Sequence, residues 1–284
     1  MTFAKAKPML RTTGQLAAWS WAMVRRPYAV LCLLFAVVQT SVMALLSRYI
    51  AFWGQNVSAL YFNSGQWLLL IAAWLAAGIL SLRMLHQANG KTKAGYTLLT
   101  LPGSRLPLYG SQVLLCLVMQ LGIVALQVML YALYYTPLSA ALAGEMNRMI
   151  AGNNPPIAHD YPTVTNWQAA KMYEDILAND VFTLIFPTRP RAMFCVALAH
   201  LTAALCLPCV ALHRSGKQCF AQGIVTALIF AAVLRLLLVE RIQYSTGTWQ
   251  QGSGVVLLVT VALVVGSVAW ALYALQNADI VKGG

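Results

Sequence analysis

Six stretches of the chain are apolar almost without interruption, at residues 28–47, 67–85, 111–135, 192–212, 219–239 and 254–275. A helix rising about 1.5 Å per residue crosses the roughly 30 Å hydrocarbon core of a bilayer in about 20 residues. Each run therefore predicts one membrane span. The second is the shortest on usable length, with Arg83 near its end, where a long side chain reaches the interface. None of the runs alternates as a membrane β-barrel strand does, and lipid leaves helices as the other way to satisfy the backbone. The pattern predicts an all-α, polytopic membrane bundle of six transmembrane helices, a single transmembrane domain over residues 1–284.

The segments between the runs have patterns of their own. In residues 1–27, Leu16, Trp19 and Met23 recur at helical spacing, and Arg25, Arg26 and Pro27 follow. Tryptophan and arginine beside an apolar face predict an N-terminal helix lying in the membrane interface, with Pro27 in the first turn of the next span. Residues 28–135 hold spans one to three, with a short basic loop at 89–109 in which Gly90, Gly95 and Pro102-Gly103 punctuate the chain. Tyr96, Leu98, Leu99 and Leu101 make an apolar cluster there that has left the bilayer. A helix so short is marginal by itself, so the cluster calls for a cover. Ser104 is placed to cap the stretch leading into span three. Residues 136–190 form the one sizeable extramembrane piece, with amphipathic stretches at 138–150 and 167–186 around the turn-rich Gly152-Asn153-Asn154-Pro155-Pro156. It reads as a small outer helical cap between spans three and four. Spans four to six and a tail occupy 191–284.

Composition supports the same class. The chain is 60% hydrophobic and 9% charged, far from the roughly one-quarter charged composition of a soluble domain. Its net charge of +12 would suggest nucleic acid in a soluble protein; here the basic residues sit mainly between apolar runs, so no nucleic-acid partner is expected. They carry orientation instead. With the N-terminus inside, the inner segments hold Lys5, Lys7, Arg11, Arg25, Arg26, Arg83, Lys91, Lys93, Arg105, Arg214, Lys217 and Lys282, twelve in all. The outer ones hold Arg48, Arg148, Lys171, Arg189, Arg191, Arg235 and Arg241, which makes seven. Both termini are therefore expected on the cytoplasmic side of a bacterial plasma membrane.

Familiar chemistry is sparse. Gly90-Lys91-Thr92 ends like a P-loop, but the glycine required five residues earlier is Leu85. His86, His159, His200 and His213 lack ligand spacing, so no metal and no cofactor is expected. Cys206-Leu207-Pro208-Cys209 has redox spacing but lies in an apolar helix, where burial raises thiol pKa and Pro208 more simply bends the span. No Asp or Glu falls within a run. The polar candidates inside the membrane are Gln120 and Gln127, seven apart on span three, and His200 in span four. Each either lines a path or joins helices by hydrogen bonding.

The run Gly95-Tyr96-Thr97-Leu98-Leu99-Thr100-Leu101-Pro102-Gly103-Ser104-Arg105, placed just before span three in this layout, resembles the permease subunits of ABC-2 type ABC transporters. Many of these carry a leucine-rich stretch ending in Leu-Pro-x-Ser-Arg at that point. The resemblance implies a coupling helix around Tyr96, Leu98, Leu99 and Leu101, docked on a separate ATP-binding cassette subunit. Gly95, Pro102, Ser104 and Arg105 would flank it and pass its movement to span three. Residues 13–24 would be an elbow helix. A second permease, identical or related, would complete the path, embedded in membrane lipid; the chain itself would be no enzyme, and export is the expected direction. One departure stands out: the large outer piece follows span three, whereas many members place theirs between spans five and six. The residues also admit a transporter or accessory membrane protein without an ATPase, or a membrane-embedded enzyme.

Overall fold

The computed structural model describes residues 3–47, 61, 64–83, 106–152, 190–213, 216–246 and 253–277. All but His213 belong to helices or short turns, and no strand occurs among them. In chain order the helices are α1 (Phe3–Ser47), α2 (Gln66–Ser81), α3 (Leu106–Gly152), α4 (Pro190–Leu212), α5 (Gly216–Thr246) and α6 (Ser253–Asn277). Five are long and apolar enough to cross a membrane. The exception is α2, an apolar helix of 16 residues, about 24 Å long. It coincides with the run whose length was marginal in the sequence. The fold is a helical membrane bundle.

On α5 the charged residues Lys217 and Arg235 stand 18 residues apart, or about 27 Å at the helical rise, close to the thickness of one bilayer core. The helices carry greasy outer faces: Leu33, Leu34, Leu201, Leu228, Leu234 and Leu258 are all exposed, as lipid-facing side chains must be.

Two helices are longer than expected, and both differences have a physical cause. The N-terminal segment is helical, but it runs straight into the first span as one helix of 45 residues, about 68 Å long. Ala17, Ser20 and Val24 are buried at three- and four-residue spacing, continuing the stripe into the span. Thr13 lies close to Gly110, whose added Cβ would sit 3.3 Å from the threonine methyl. The Gln112 amide donates to the Ser20 hydroxyl at 3.2 Å and the Tyr28 hydroxyl donates to the Met119 carbonyl at 2.9 Å. These contacts climb α1 and α3 together, so the segment runs parallel to the foot of α3, and that packing outweighs the local stop signal of Arg25-Arg26-Pro27. The second difference is α3 itself, at 47 residues with Pro137 inside it. The expected first cap stretch at 138–150 is the continuation of span three, with the Ser139 hydroxyl donating back to the Thr136 carbonyl at 3.0 Å beside the proline. The expected second stretch, 167–186, lies outside the described residues.

The chain divides into two compact units. The first comprises Met1–Ala29, Leu75–Leu121 and Pro190–Gly284. Its centre is the trio α4, α5 and α6, joined by apolar clusters such as Cys206, Ile229, Val233 and Val264, and Cys195, Leu198 and Leu236. The second unit comprises Val30–Trp74 and Gly122–Arg189, and its buried side chains include three amides and three tyrosine rings beside Phe35, Met43 and Ile123.

Candidate functional site

The polar interior follows from α3. Gln112, Gln120 and Gln127 are spaced eight and seven apart, which keeps them on one broad side of a helix, and none of the three is exposed. In hydrocarbon a primary amide without a partner costs several kcal/mol, of order 2–7, so each position requires explanation. Gln112 is bonded to Ser20, whose own hydroxyl donates to the Leu16 carbonyl at 2.8 Å.

Gln120 is different. Neither its Nε2 nor its Oε1 has a hydrogen-bond partner among the described residues. Its amide nitrogen lies against Gly78 of α2, 2.9 Å from where a Cβ would stand, with Leu207 of α4 at 2.6 Å from the same point. Only glycine leaves room for both side chains. Cys116 lies 3.8 Å from that point.

In the second unit the amides find each other. The Gln39 amide nitrogen donates to the Gln127 Oε1, and Gln66 donates to the Gln39 carbonyl at 3.4 Å. Tyr61 packs edge-on to Tyr131 with ring centroids 5.5 Å apart, and Tyr131 lies 6.0 Å from Tyr135. All three tyrosines are buried. Burial raises the Tyr61 hydroxyl pKa, while the Gln39 and Gln127 amides act the other way, so Tyr61 is an uncharged phenol facing two amides. Outward of this cluster the Thr40 and Tyr134 hydroxyls are bonded to each other. The turn into α2 uses Gly65 at φ 71°, a left-handed conformation that glycine adopts without strain; Leu68 N–H donates to its carbonyl at 2.9 Å.

A second polar feature lies on α4. Pro208 cannot donate to the carbonyl four residues back, and it loosens the ladder around Leu205. The Leu205 carbonyl accepts from the Tyr109 hydroxyl at 2.9 Å and from the Cys209 thiol at 3.0 Å. The carbonyl four residues before Pro208 is that of Ala204, one residue ahead of the one Tyr109 reaches. Cys206 and Cys209 are both fully buried within apolar clusters, and neither is in a disulfide. His200 is half-buried on α4. No group of three or more His, Cys, Asp or Glu that could hold a metal occurs among the described residues.

The expected path residues Gln120 and Gln127 are therefore interior to the helix packing, with no surface of their own. The expected coupling residues Gly95, Tyr96, Leu98, Leu99, Leu101, Pro102, Ser104 and Arg105 lie outside the described residues. What the structure adds is Gln66, Tyr61 and Gly78. Their signal in sequence is faint: a glutamine at the head of an apolar run, and a glycine inside one. No family model matches the chain, and neither a curated protein nor a solved structure is similar to it.

Proposed function

We propose that the chain is the permease subunit of an ABC-2 type ABC transporter, forming half of a translocation path and driven by a separate ATP-binding subunit. The observation that carries this reading is the run from Gly95 to Arg105, an apolar cluster closed by Leu-Pro-Gly-Ser-Arg between two membrane runs. Leu98, Leu99 and Tyr96 exposed to water would each forgo about 1.5–3 kcal/mol of burial; a groove on a partner supplies it. The start of α3 supports the reading mechanically. Leu106 follows Arg105 directly, and Leu108 packs with Leu16 of α1 and with Ala211 and Leu212 of α4. A push delivered at Arg105 therefore meets α1 and α4 within the first turn of α3. The fully buried amides along α3 fit an element that shifts as a unit, because hydrogen bonds between helices fix register in lipid where apolar contact alone does not.

In this reading the chain performs no chemistry. It pairs with a second permease, passes substrate outward, and lies in a bacterial plasma membrane with both ends in the cytoplasm. The test is co-purification in mild detergent. The wild-type protein should bring down an ATP-binding cassette subunit, and Leu98→Asp should lose it while remaining folded and inserted. Unchanged association of Leu98→Asp would refute the role given to the segment.

A further inference from the structure

We infer that Arg25 and Arg26 form a site for the phosphate of an anionic phospholipid, set among apolar side chains of α1 and α3. The inference stands on the placement of these two residues. It is independent of the permease reading and of which side the N-terminus faces. Both arginines are exposed in the middle of α1. Neither takes part in a hydrogen bond or an ion pair among the described residues.

Two contacts fix their height against α3. Before them the Ser20 hydroxyl accepts from the Gln112 amide, and after them the Tyr28 hydroxyl donates to the Met119 carbonyl. The two arginines therefore stand alongside residues 112–119 of α3, a helix that carries no charged residue from Leu106 to Ala141. Their exposed neighbours at that height are apolar: Trp21 and Met23 on α1, Leu114 and Val118 on α3. Trp21, Arg25 and Tyr28 fall at i, i+4 and i+7, on one stripe of the helix. The rings of Trp21 and Tyr28 meet edge-on with centroids 5.7 Å apart. Arg25 thus rises from a helix face lined by two touching aromatic side chains, the kind of face that sits at the level of lipid headgroups.

A cation among exposed apolar side chains needs an anion close by. This part of the chain offers none, since its first 144 residues hold ten Lys and Arg and no Asp or Glu. A lipid phosphate supplies the charge, and the acyl chains below it cover Leu114 and Val118. Guanidinium suits that partner, being weakly hydrated and able to give a phosphate two parallel N–H donors. The same charge balance selects the headgroup. Phosphatidylethanolamine brings an ammonium of its own, for which these 144 residues hold no carboxylate. Phosphatidylglycerol brings the negative charge alone, so the site prefers it.

The test is native mass spectrometry of the full-length protein in detergent, titrated with phosphatidylglycerol and phosphatidylethanolamine of identical acyl chains. The wild type should bind phosphatidylglycerol several-fold more tightly. Arg25→Gln/Arg26→Gln should weaken that lipid by about fivefold for each arginine, about thirtyfold together, and remove the preference. Arg11→Gln/Lys217→Gln takes the same charge from two other exposed positions and should change binding little. No preference in the wild type, or an equal loss in that control, would overturn the inference. Inorganic phosphate should not displace the bound lipid; displacement would mark a site for free anions and count against a lipid. Should Arg25→Gln/Arg26→Gln fail to insert, Arg25→Lys/Arg26→Lys decides it. The charges then remain while the paired donors are lost, so phosphatidylglycerol should bind several-fold more weakly. Unchanged binding in the lysine variant would overturn the site.

Discussion

The interior shared by Gln39, Gln66, Gln127 and the three tyrosines and the interior of the α4–α6 trio answer the same problem differently. The trio fills its centre with Cys206, Ile229, Val233 and Val264, side chains no more apolar than the lipid they exclude. Lipid removes the usual hydrophobic drive, so such a centre is held mainly by shape and dispersion, with the Gln222 to Ser267 hydrogen bond joining α5 to α6. The amide–tyrosine centre has directional contacts: Gln39 to Gln127, Gln66 to the Gln39 carbonyl, and Tyr61 edge-on to Tyr131. A centre of the first kind tolerates sliding as long as volume is kept. One of the second kind has a single register, because a slip by one residue breaks every bond at once. The lesson is that polarity in this bundle sets alignment more than it adds stability.

Substitutions sharpen that contrast, and reversible unfolding in mixed micelles reads them. The largest loss is expected for Tyr131→Ala, at about 3 kcal/mol, from the cavity left by a fully buried ring and from two lost ring contacts. Ile229→Ala in the trio should cost less, about 2 kcal/mol, since only packing is lost. A loss at Ile229 larger than that at Tyr131 would reverse the comparison. The smallest effect is expected for the pair Gln39→Leu and Gln127→Leu. Each single change should cost about 1 kcal/mol, and the double change little more, because a hydrogen bond between helices in lipid is worth about 0.6–2 kcal/mol and leaves an orphan when half removed. Fully additive losses would mean that the two amides do not act together.

Much of this bundle is legible in the chain because lipid leaves few alternatives. Twenty apolar residues in a row have one stable form, and on α5 the charged residues Lys217 and Arg235 stand about one bilayer core apart. The uninterrupted α1 is not legible, since Arg25-Arg26-Pro27 has the local form of a stop. What keeps the helix going is Ala17, Ser20 and Val24 against a partner some 90 residues away, as in the Ser20 to Gln112 bond. On α3 the helix likewise continues through Pro137, where the Ser139 hydroxyl donates back to the Thr136 carbonyl. Of the candidate site, Gln120 and Gln127 stand out as amides in an apolar run, but their surroundings do not. Gly78 beside Gln120, and the pairing of Gln127 with Gln39, depend on which helices meet.

The central claim is that force reaches this membrane bundle from outside, through the leucine cluster that precedes α3. It is tested most directly by a photo-reactive amino acid placed at Leu98 in living cells, followed by identification of whatever is joined to it. The account predicts a single adduct with an ATP-binding cassette protein, formed on the cytoplasmic face and lost when Leu99 and Leu101 are both changed to aspartate. Adducts only with lipid or with the chain itself, or labelling of position 98 from the outer face, would contradict it.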